Sequence, residues 1–171
     1  MQKLLKTLEK EILPISLILI LALARLVPHP PNFTPIVAVA IMSSYFFRNI
    51  YLSFAVIIVS MLLADVFIGF YNNMFFVYLS LLLIAFIFFK ISTKIKLQNL
   101  FIFAFLGSVM FFLISNFGVW ILSGMYEKNL NGLAYCYFLA LPFFVNTILS
   151  TIIFTYSAFI ANSLFSKKSI L

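Results

Sequence analysis

One polar stretch decides the fold, and it reads Arg25-Leu26-Val27-Pro28-His29-Pro30-Pro31-Asn32-Phe33-Thr34-Pro35. It contains the chain's only histidine and four of its six prolines. Proline fixes φ, lacks a backbone N–H and disfavours a helix in the residue before it, so the run Pro-His-Pro-Pro ends a helix. Asn32 is then expected to cap a new helix whose first turn holds Pro35. The stretch therefore predicts a stiff polar elbow between two apolar helices.

Outside this elbow the chain is strongly apolar, with 65% hydrophobic residues, 9% charged residues and a mean hydropathy of +1.20. A soluble domain carries about 25% charged residues, so this composition excludes one. A bilayer-spanning helix needs about 20 apolar residues, and 171 residues hold about six of them. The predicted fold class is all-α, a polytopic membrane protein with six transmembrane helices in one domain, residues 1–171. The predicted spans are about 12–27, 33–47, 50–69, 74–89, 100–122 and 133–165.

The basic residues give these spans an orientation. With the N-terminus in the cytoplasm, nine of the eleven Lys and Arg residues fall inside, and only Arg25 and Lys128 fall outside. Basic residues are enriched in cytoplasmic loops, so both termini are expected in the cytoplasm of a bacterium and the elbow outside its cytoplasmic (inner) membrane. The expected partner is the lipid bilayer. No nucleic acid is expected, because the basic residues lie between apolar runs and do not form one patch.

The N-terminal segment has a second interpretation, a cleaved signal peptide. Three lysines precede an apolar run that ends in Ala22-Leu23-Ala24, which is similar to a cleavage site. However, Glu9 and Glu11 interrupt the basic region, and Arg25 would directly follow the cut. The segment is therefore predicted to be a retained first helix.

Asp65 is the one acidic residue inside a predicted span, about one turn below the outer surface, and Arg25 lies at the same depth. A charged side chain at the bilayer centre costs about 2.5–3.5 kcal/mol and less near the surface, so Asp65 is expected to face protein. The first interpretation is an ion pair that ties the first span to the third. The second is a pair of ligands for a polar or charged solute. Pairing is favoured, and a pair can also line a site.

Other polar side chains are predicted in the outer half. Asn116 and Trp120 are one turn apart on one helix face, where an amide and an indole either join helices or line a small-molecule pocket. Asn146 is one turn after Pro142 and is expected to satisfy backbone groups that this proline frees. Pro142 is expected to kink the long sixth span or to divide it. His29 is expected to form hydrogen bonds at the membrane surface.

No catalytic constellation is present in the sequence. It has no Ser/His/Asp set at a suitable spacing, no pair of carboxylates, no phosphate-binding loop and no metal-binding motif. With a single histidine and a single cysteine, Cys136, neither a metal nor a cofactor is expected. Cys136 is predicted to be a small residue packed in a helix. An enzyme would have to work with Asp65, His29 and Glu127 alone, so the protein is predicted not to be one.

Four separate motifs resemble, in order, those of an uncharacterised family of small six-helix bacterial integral membrane proteins. The motifs are the elbow, Asp65 with Gly69, the run Asn116-Phe117-Gly118-Val119-Trp120, and the run Pro142-Phe143-Phe144-x-Asn146. The resemblance covers 25–146 and implies no established activity.

Size and six-helix layout are also distantly similar to the S-components of energy-coupling factor transporters. That similarity implies an S-component-like bundle that captures a solute outside and passes it to an energy-coupling membrane subunit. S-components often carry an Ala-x-x-x-Ala pattern on helix one, whereas Ala22 and Ala24 are two residues apart here.

Two functions from different classes follow from these patterns. The first is a membrane-embedded subunit that binds or transports a small polar solute at an outward-facing polar site. The second is a structural or assembly membrane protein that transports nothing and whose intramembrane polar residues only clamp helices. The candidate ligand-binding residues are Arg25, His29, Asn32, Asp65, Asn116, Trp120 and Asn146.

Overall fold

A computed structural model of the protein describes residues 12, 15–16, 19–20, 23–91, 93 and 95–168, the last four as backbone alone. Within these residues the chain is helical and has no strand, which confirms an all-α fold. The described α-helices are α1 (Ile36–Phe47), α2 (Ile50–Ile68), α3 (Met74–Lys90), α4 (Leu100–Leu122) and α5 (Leu130–Lys168). Six of the 16 residues of the predicted span 12–27 lie outside the described residues, so the number of six helices stays a prediction.

Three segments of the described chain are long and apolar enough to cross a membrane, and they are Ile50–Ile68, Leu97–Leu122 and Leu130–Leu164. Helices α1 and α3 are also apolar but have only 12 and 17 residues. Helices of this length and composition indicate a membrane protein.

Helix α1 lies at the centre of the described bundle. Ten of its 12 residues are buried, and it contacts each of α2, α3, α4 and α5. A helix that is apolar around its whole circumference is typical of a protein core or a membrane span, where apolar groups surround it. So short an apolar helix is accommodated here by burial among its neighbours.

Small residues allow the neighbouring helices to approach α1 closely. The Ser44 hydroxyl of α1 donates to the Ala85 carbonyl of α3 at 2.7 Å. Gly107 of α4 lies against Ile41, because a Cβ atom added to this glycine would come within 2.8 Å of Ile41 Cδ1. Ala40, one turn before Ser44, is fully buried like Ser44. Close packing through small side chains therefore holds α1 in place.

Helices α1 and α2 are joined by two residues, Arg48 and Asn49. Arg48 adopts the left-handed conformation, with φ of 48°, and ends α1. The Asn49 side chain accepts hydrogen bonds from the backbone amides of Tyr51 and Leu52 at 3.0 and 3.2 Å, which caps α2. The chain therefore reverses directly after α1.

The elbow is a tight turn and not a helix cap, so the capping role predicted for Asn32 is wrong. Helix α1 begins at Ile36 with Pro35 in the N-cap position, and no side chain caps it. The Phe33 amide donates to the Pro30 carbonyl at 2.9 Å, and Asn32 has φ of 61°. A proline followed by a residue with positive φ is typical of a type II turn, in which asparagine is tolerated. Asn32 therefore shapes the turn and lies outside the N-cap position.

Helix α5 is one continuous helix with Pro142 inside it, so the proline does not divide it into two segments. It begins at Leu130, three residues before the predicted start. The Asn129 side chain accepts a hydrogen bond from the Gly132 amide at 2.8 Å, as a capping residue does. The apolar part of α5 is longer than a bilayer requires, and a tilt accommodates such a length.

We predict that Asn32→Ala lowers the free energy of unfolding by about 1 kcal/mol, because the left-handed conformation costs a residue with a Cβ atom about 1–2 kcal/mol. Asn32→Gly removes that cost and should melt above the alanine variant. Thermal melting in detergent measures both variants beside the wild type. Equal melting temperatures for the two variants would show that the positive φ at position 32 imposes no cost on a residue with a Cβ atom.

Candidate functional site

A cleft of about 600 Å³, lined by polar and apolar side chains, lies at one end of the bundle. It is enclosed by the elbow, the 69–73 connection, the 123–129 connection and the adjoining ends of α3, α4 and α5. Its polar lining consists of Arg25, Asn32, Thr34, Tyr71, Asn73, Ser115, Asn116, Tyr126 and Cys136. Its apolar lining consists of Pro31, Ile36, Val77, Phe111, Val119, Met125, Leu139, Ala140 and Phe143. The volume lies in the range of small-molecule sites, about 300–1,000 Å³.

Arg25 and Asp65 form the predicted ion pair, with 3.0 Å between Nη1 and Oδ1. The Asp65 side chain is fully buried, whereas 11% of the Arg25 side chain is exposed, on the side that lines the cleft. The Tyr78 hydroxyl donates to Asp65 Oδ2 at 2.8 Å, and Arg25 Nη1 also lies 3.2 Å from the Met61 sulfur. Each carboxylate oxygen thus has a protein group beside it. The pair ties the start of the elbow to α2 and α3.

Tyr71 lies beside this pair on the connection between α2 and α3. Burial, together with the negative charge of Asp65, raises the pKa of the Tyr71 phenol above its ordinary value, while Arg25 acts in the opposite direction. A phenol with a raised pKa stays protonated at neutral pH. Tyr71 therefore offers the cleft an uncharged hydroxyl.

Asn146 holds the elbow from the opposite side. Its Nδ2 donates to the Pro31 carbonyl at 2.9 Å, across 115 residues of sequence. The local role predicted for Asn146 beside Pro142 is therefore wrong, because the elbow passes close enough to α5 to offer a carbonyl of its own. Asn146 does not line the cleft, but Pro31 does. Asn146 thus positions one wall of the cleft.

His29 lies within hydrogen-bonding distance of two elbow carbonyls, and its tautomer decides which ring nitrogen donates. Its Nδ1 lies 3.0 Å from the Pro30 carbonyl oxygen and its Nε2 lies 3.2 Å from the Arg25 carbonyl oxygen. The imidazole is exposed and does not line the cleft. Its hydrogen-bonding role is confirmed, and it braces the elbow.

Asn116 and Trp120 have different surroundings although they are one turn apart. Asn116 lines the cleft, and its Nδ2 donates to the Phe112 carbonyl at 2.8 Å, which leaves Oδ1 as an acceptor. The Trp120 indole instead donates to the Glu127 carbonyl at 2.9 Å. Lys128 bonds the Trp120 carbonyl, and its ammonium lies 5.5 Å from the centroid of the indole ring. Trp120 therefore fastens the 123–129 connection.

Three of the seven candidate ligand-binding residues thus line the cleft, and they are Arg25, Asn32 and Asn116. Asp65 and Asn146 contact lining residues from outside, and His29 and Trp120 brace the segments around it. Whether any of them binds a ligand stays a prediction.

Sequence reasoning missed Tyr71, Asn73 and Tyr126 as lining residues. Tyrosine near a helix end is typical of the aromatic belt at a membrane surface and asparagine is typical of turns, so residue type alone did not mark these positions as lining a cleft. The available signal was position, because the 69–73 connection directly follows the helix that carries Asp65. Within the described part of the chain, no three His, Cys, Asp or Glu side chains could together hold a metal ion.

These features define a class, a helical membrane protein with a cleft of mixed polar and apolar lining at one end of its bundle. A family model described as "Family of unknown function (DUF6580)" matches residues 6–170, and the chain belongs to this family. The resemblance to an uncharacterised family is confirmed to that extent. Comparisons with curated proteins and with solved structures gave no match.

We predict that Arg25→Gln destabilises the protein more than Asp65→Asn does. The first change strands a fully buried carboxylate, and breaking a buried pair costs about 3–5 kcal/mol. The second change strands a guanidinium that can reach the solvent of the cleft. The double variant should recover much of the loss. Thermal melting of the four proteins measures this, and strictly additive losses would show that the two charges do not interact.

Proposed function

We propose that the protein is a membrane-embedded subunit that binds or transports a small polar solute in this cleft, and that it is not an enzyme. The observation that carries the proposal is the cleft itself, about 600 Å³ in volume and lined by nine polar side chains within a strongly apolar bundle. Polar side chains are expensive inside a membrane protein and mark solute pathways or sites. Contacts from Asp65 and Asn146 hold the lining in place, which lowers the entropic cost of binding.

The distribution of charge supports an outward-facing cleft. Near the cleft end, the Lys and Arg residues in the described part of the chain are Arg25 and Lys128. At the opposite ends of the described helices lie Arg48, Lys90, Lys96, Lys167 and Lys168. By the positive-inside rule this pattern favours the opposite end as cytoplasmic. We therefore propose six spans in a bacterial cytoplasmic membrane with both termini inside.

The similarity to S-components suggests one further element of this proposal. A subunit that only captures the solute would pass it to an energy-coupling membrane subunit. That partner is proposed on the resemblance alone.

The alternative function is a structural or assembly protein whose polar residues only clamp helices. The observation that favours it is that Asp65, Trp120 and Asn146 all form hydrogen bonds or ion pairs within the protein. Under this hypothesis the cleft has no occupant. The two functions therefore differ in whether a small molecule co-purifies with the protein.

We predict that Leu139→Trp prevents solute binding and that Leu141→Trp does not. Both leucines lie on α5 with similar exposure, 43% and 45%, but only Leu139 lines the cleft. An indole at position 139 would occupy part of the cleft. The measurement is mass spectrometry of small molecules that co-purify from native membranes with the wild type and with each variant.

We expect one compound to be enriched with the wild type and the Leu141→Trp variant and depleted with the Leu139→Trp variant. Equal recovery from all three proteins would place the compound outside the cleft. Recovery of no compound from any of them would favour the structural function.

We also predict the orientation of the two ends. In a Cys136→Ala background, Lys128→Cys should react with a membrane-impermeant maleimide in intact cells, and Lys96→Cys should react only after the cells are opened. Both lysines are exposed, so access depends on the side of the membrane. The reverse pattern would place the cleft on the cytoplasmic side and contradict this orientation.

A further inference from the structure

The charges at the cleft are already neutralised by the protein. Arg25 is the only lining residue with a formal charge, and its Nη1 is 3.0 Å from Asp65 Oδ1. Asp65 is fully buried, does not line the cleft and accepts a hydrogen bond from Tyr78 on its other oxygen. An anionic solute would have to draw Arg25 away from a buried carboxylate, and a cationic solute finds no carboxylate among the described lining residues. Binding of either charged solute therefore carries a large desolvation cost.

The lining instead offers amides and hydroxyls from separate elements. Asn32 comes from the elbow, Asn73 from the start of α3 and Asn116 from α4. Asn73 occupies the N-cap position of α3 but makes no side-chain capping hydrogen bond, although asparagine is a preferred cap. Its amide is therefore available to the cleft. Because an amide both donates and accepts, such groups match uncharged polar groups on a ligand.

The remaining lining is apolar and partly aromatic. Phe111 and Phe143 face the cleft from α4 and α5, and Ile36 lines it from the start of α1. Apolar walls with a few placed polar groups are typical of small-molecule sites, in which the walls supply affinity and the polar groups fix orientation.

We infer that the cleft selects an uncharged small molecule that carries amide, carbonyl or hydroxyl groups on an apolar, ring-sized body. This inference rests on the proposed function and assigns the class of its solute. In this inference Arg25 does not bind the solute. Its charge is neutralised by Asp65, and the ion pair positions the start of the elbow.

The test uses three probes that share one ring system and differ in charge: 2-naphthamide (neutral), 2-naphthoate (anionic) and 2-naphthamidine (cationic). Thermal melting of the full-length protein in detergent at neutral pH is measured with each probe. We expect 2-naphthamide at a saturating concentration to raise the melting temperature by about 2–4 °C, and the charged probes to raise it by less than half as much. Leu139→Trp should abolish the shift, and Leu141→Trp should retain it.

Asp65→Asn provides a second measurement that depends on the charge balance. This change leaves the Arg25 guanidinium without its counter-charge, so 2-naphthoate should become the most stabilising of the three probes. An unchanged order of the probes in this variant would overturn the inference.

Three further outcomes would also overturn it. A charged probe could stabilise the wild type at least as well as 2-naphthamide, in which case solute binding stands and only the class is wrong. The Leu139→Trp variant could respond as the wild type does, which would place the probe outside the cleft. In the third outcome, none of the probes stabilises the wild type. The proposed function would then be decided by the co-purification experiment, which does not depend on these probes.

Discussion

The need to enclose α1 governs the rest of the structure. Its 12 residues rise about 18 Å, well short of the roughly 30 Å of a bilayer core, and ten of them are buried. A short helix at the centre of longer ones leaves space beyond its end. The cleft occupies that space, since Ile36, the first residue of α1, lines it, and α4 and α5 supply its walls. The cleft is therefore a consequence of where the elbow ends and α1 begins.

The elbow is not helical, so its backbone polar groups need partners other than those that a helix provides. Three of its carbonyls have such partners. The Pro30 carbonyl accepts from Phe33, the Pro31 carbonyl accepts from Asn146, and the Arg25 carbonyl lies within hydrogen-bonding distance of His29. The prolines reduce the number of backbone groups that need a hydrogen-bond partner, because they have no N–H. The composition of the elbow thus suits both its shape and its position.

The local amino-acid composition predicted the ends of two helices and one ion pair. Helices 50–68 and 100–122 lie within one residue of the predicted spans, because apolar runs bounded by polar turns mark helix ends. The Arg25–Asp65 pair was predicted because isolated charges within a membrane are costly, and two opposite charges at the same predicted depth lower that cost by pairing. The partner of Asn146, a carbonyl 115 residues away, depends on how α5 packs against the elbow, and the sequence holds no signal for that distance. The conformation of Asn32 was missed because asparagine favours both caps and left-handed turns.

The clamp and site interpretations of the polar residues apply to different atoms of one network. Asp65 Oδ1 and Oδ2, Asn146 Nδ2 and Trp120 Nε1 have partners within the protein, so these groups hold segments in place. Asn73 has an amide without a capping bond, and Asn116 has an oxygen that its own helix does not use. Under the proposed function, the hydrogen bonds and the ion pair around the cleft would restrict its lining side chains before a solute binds. The entropy lost on binding would then be smaller.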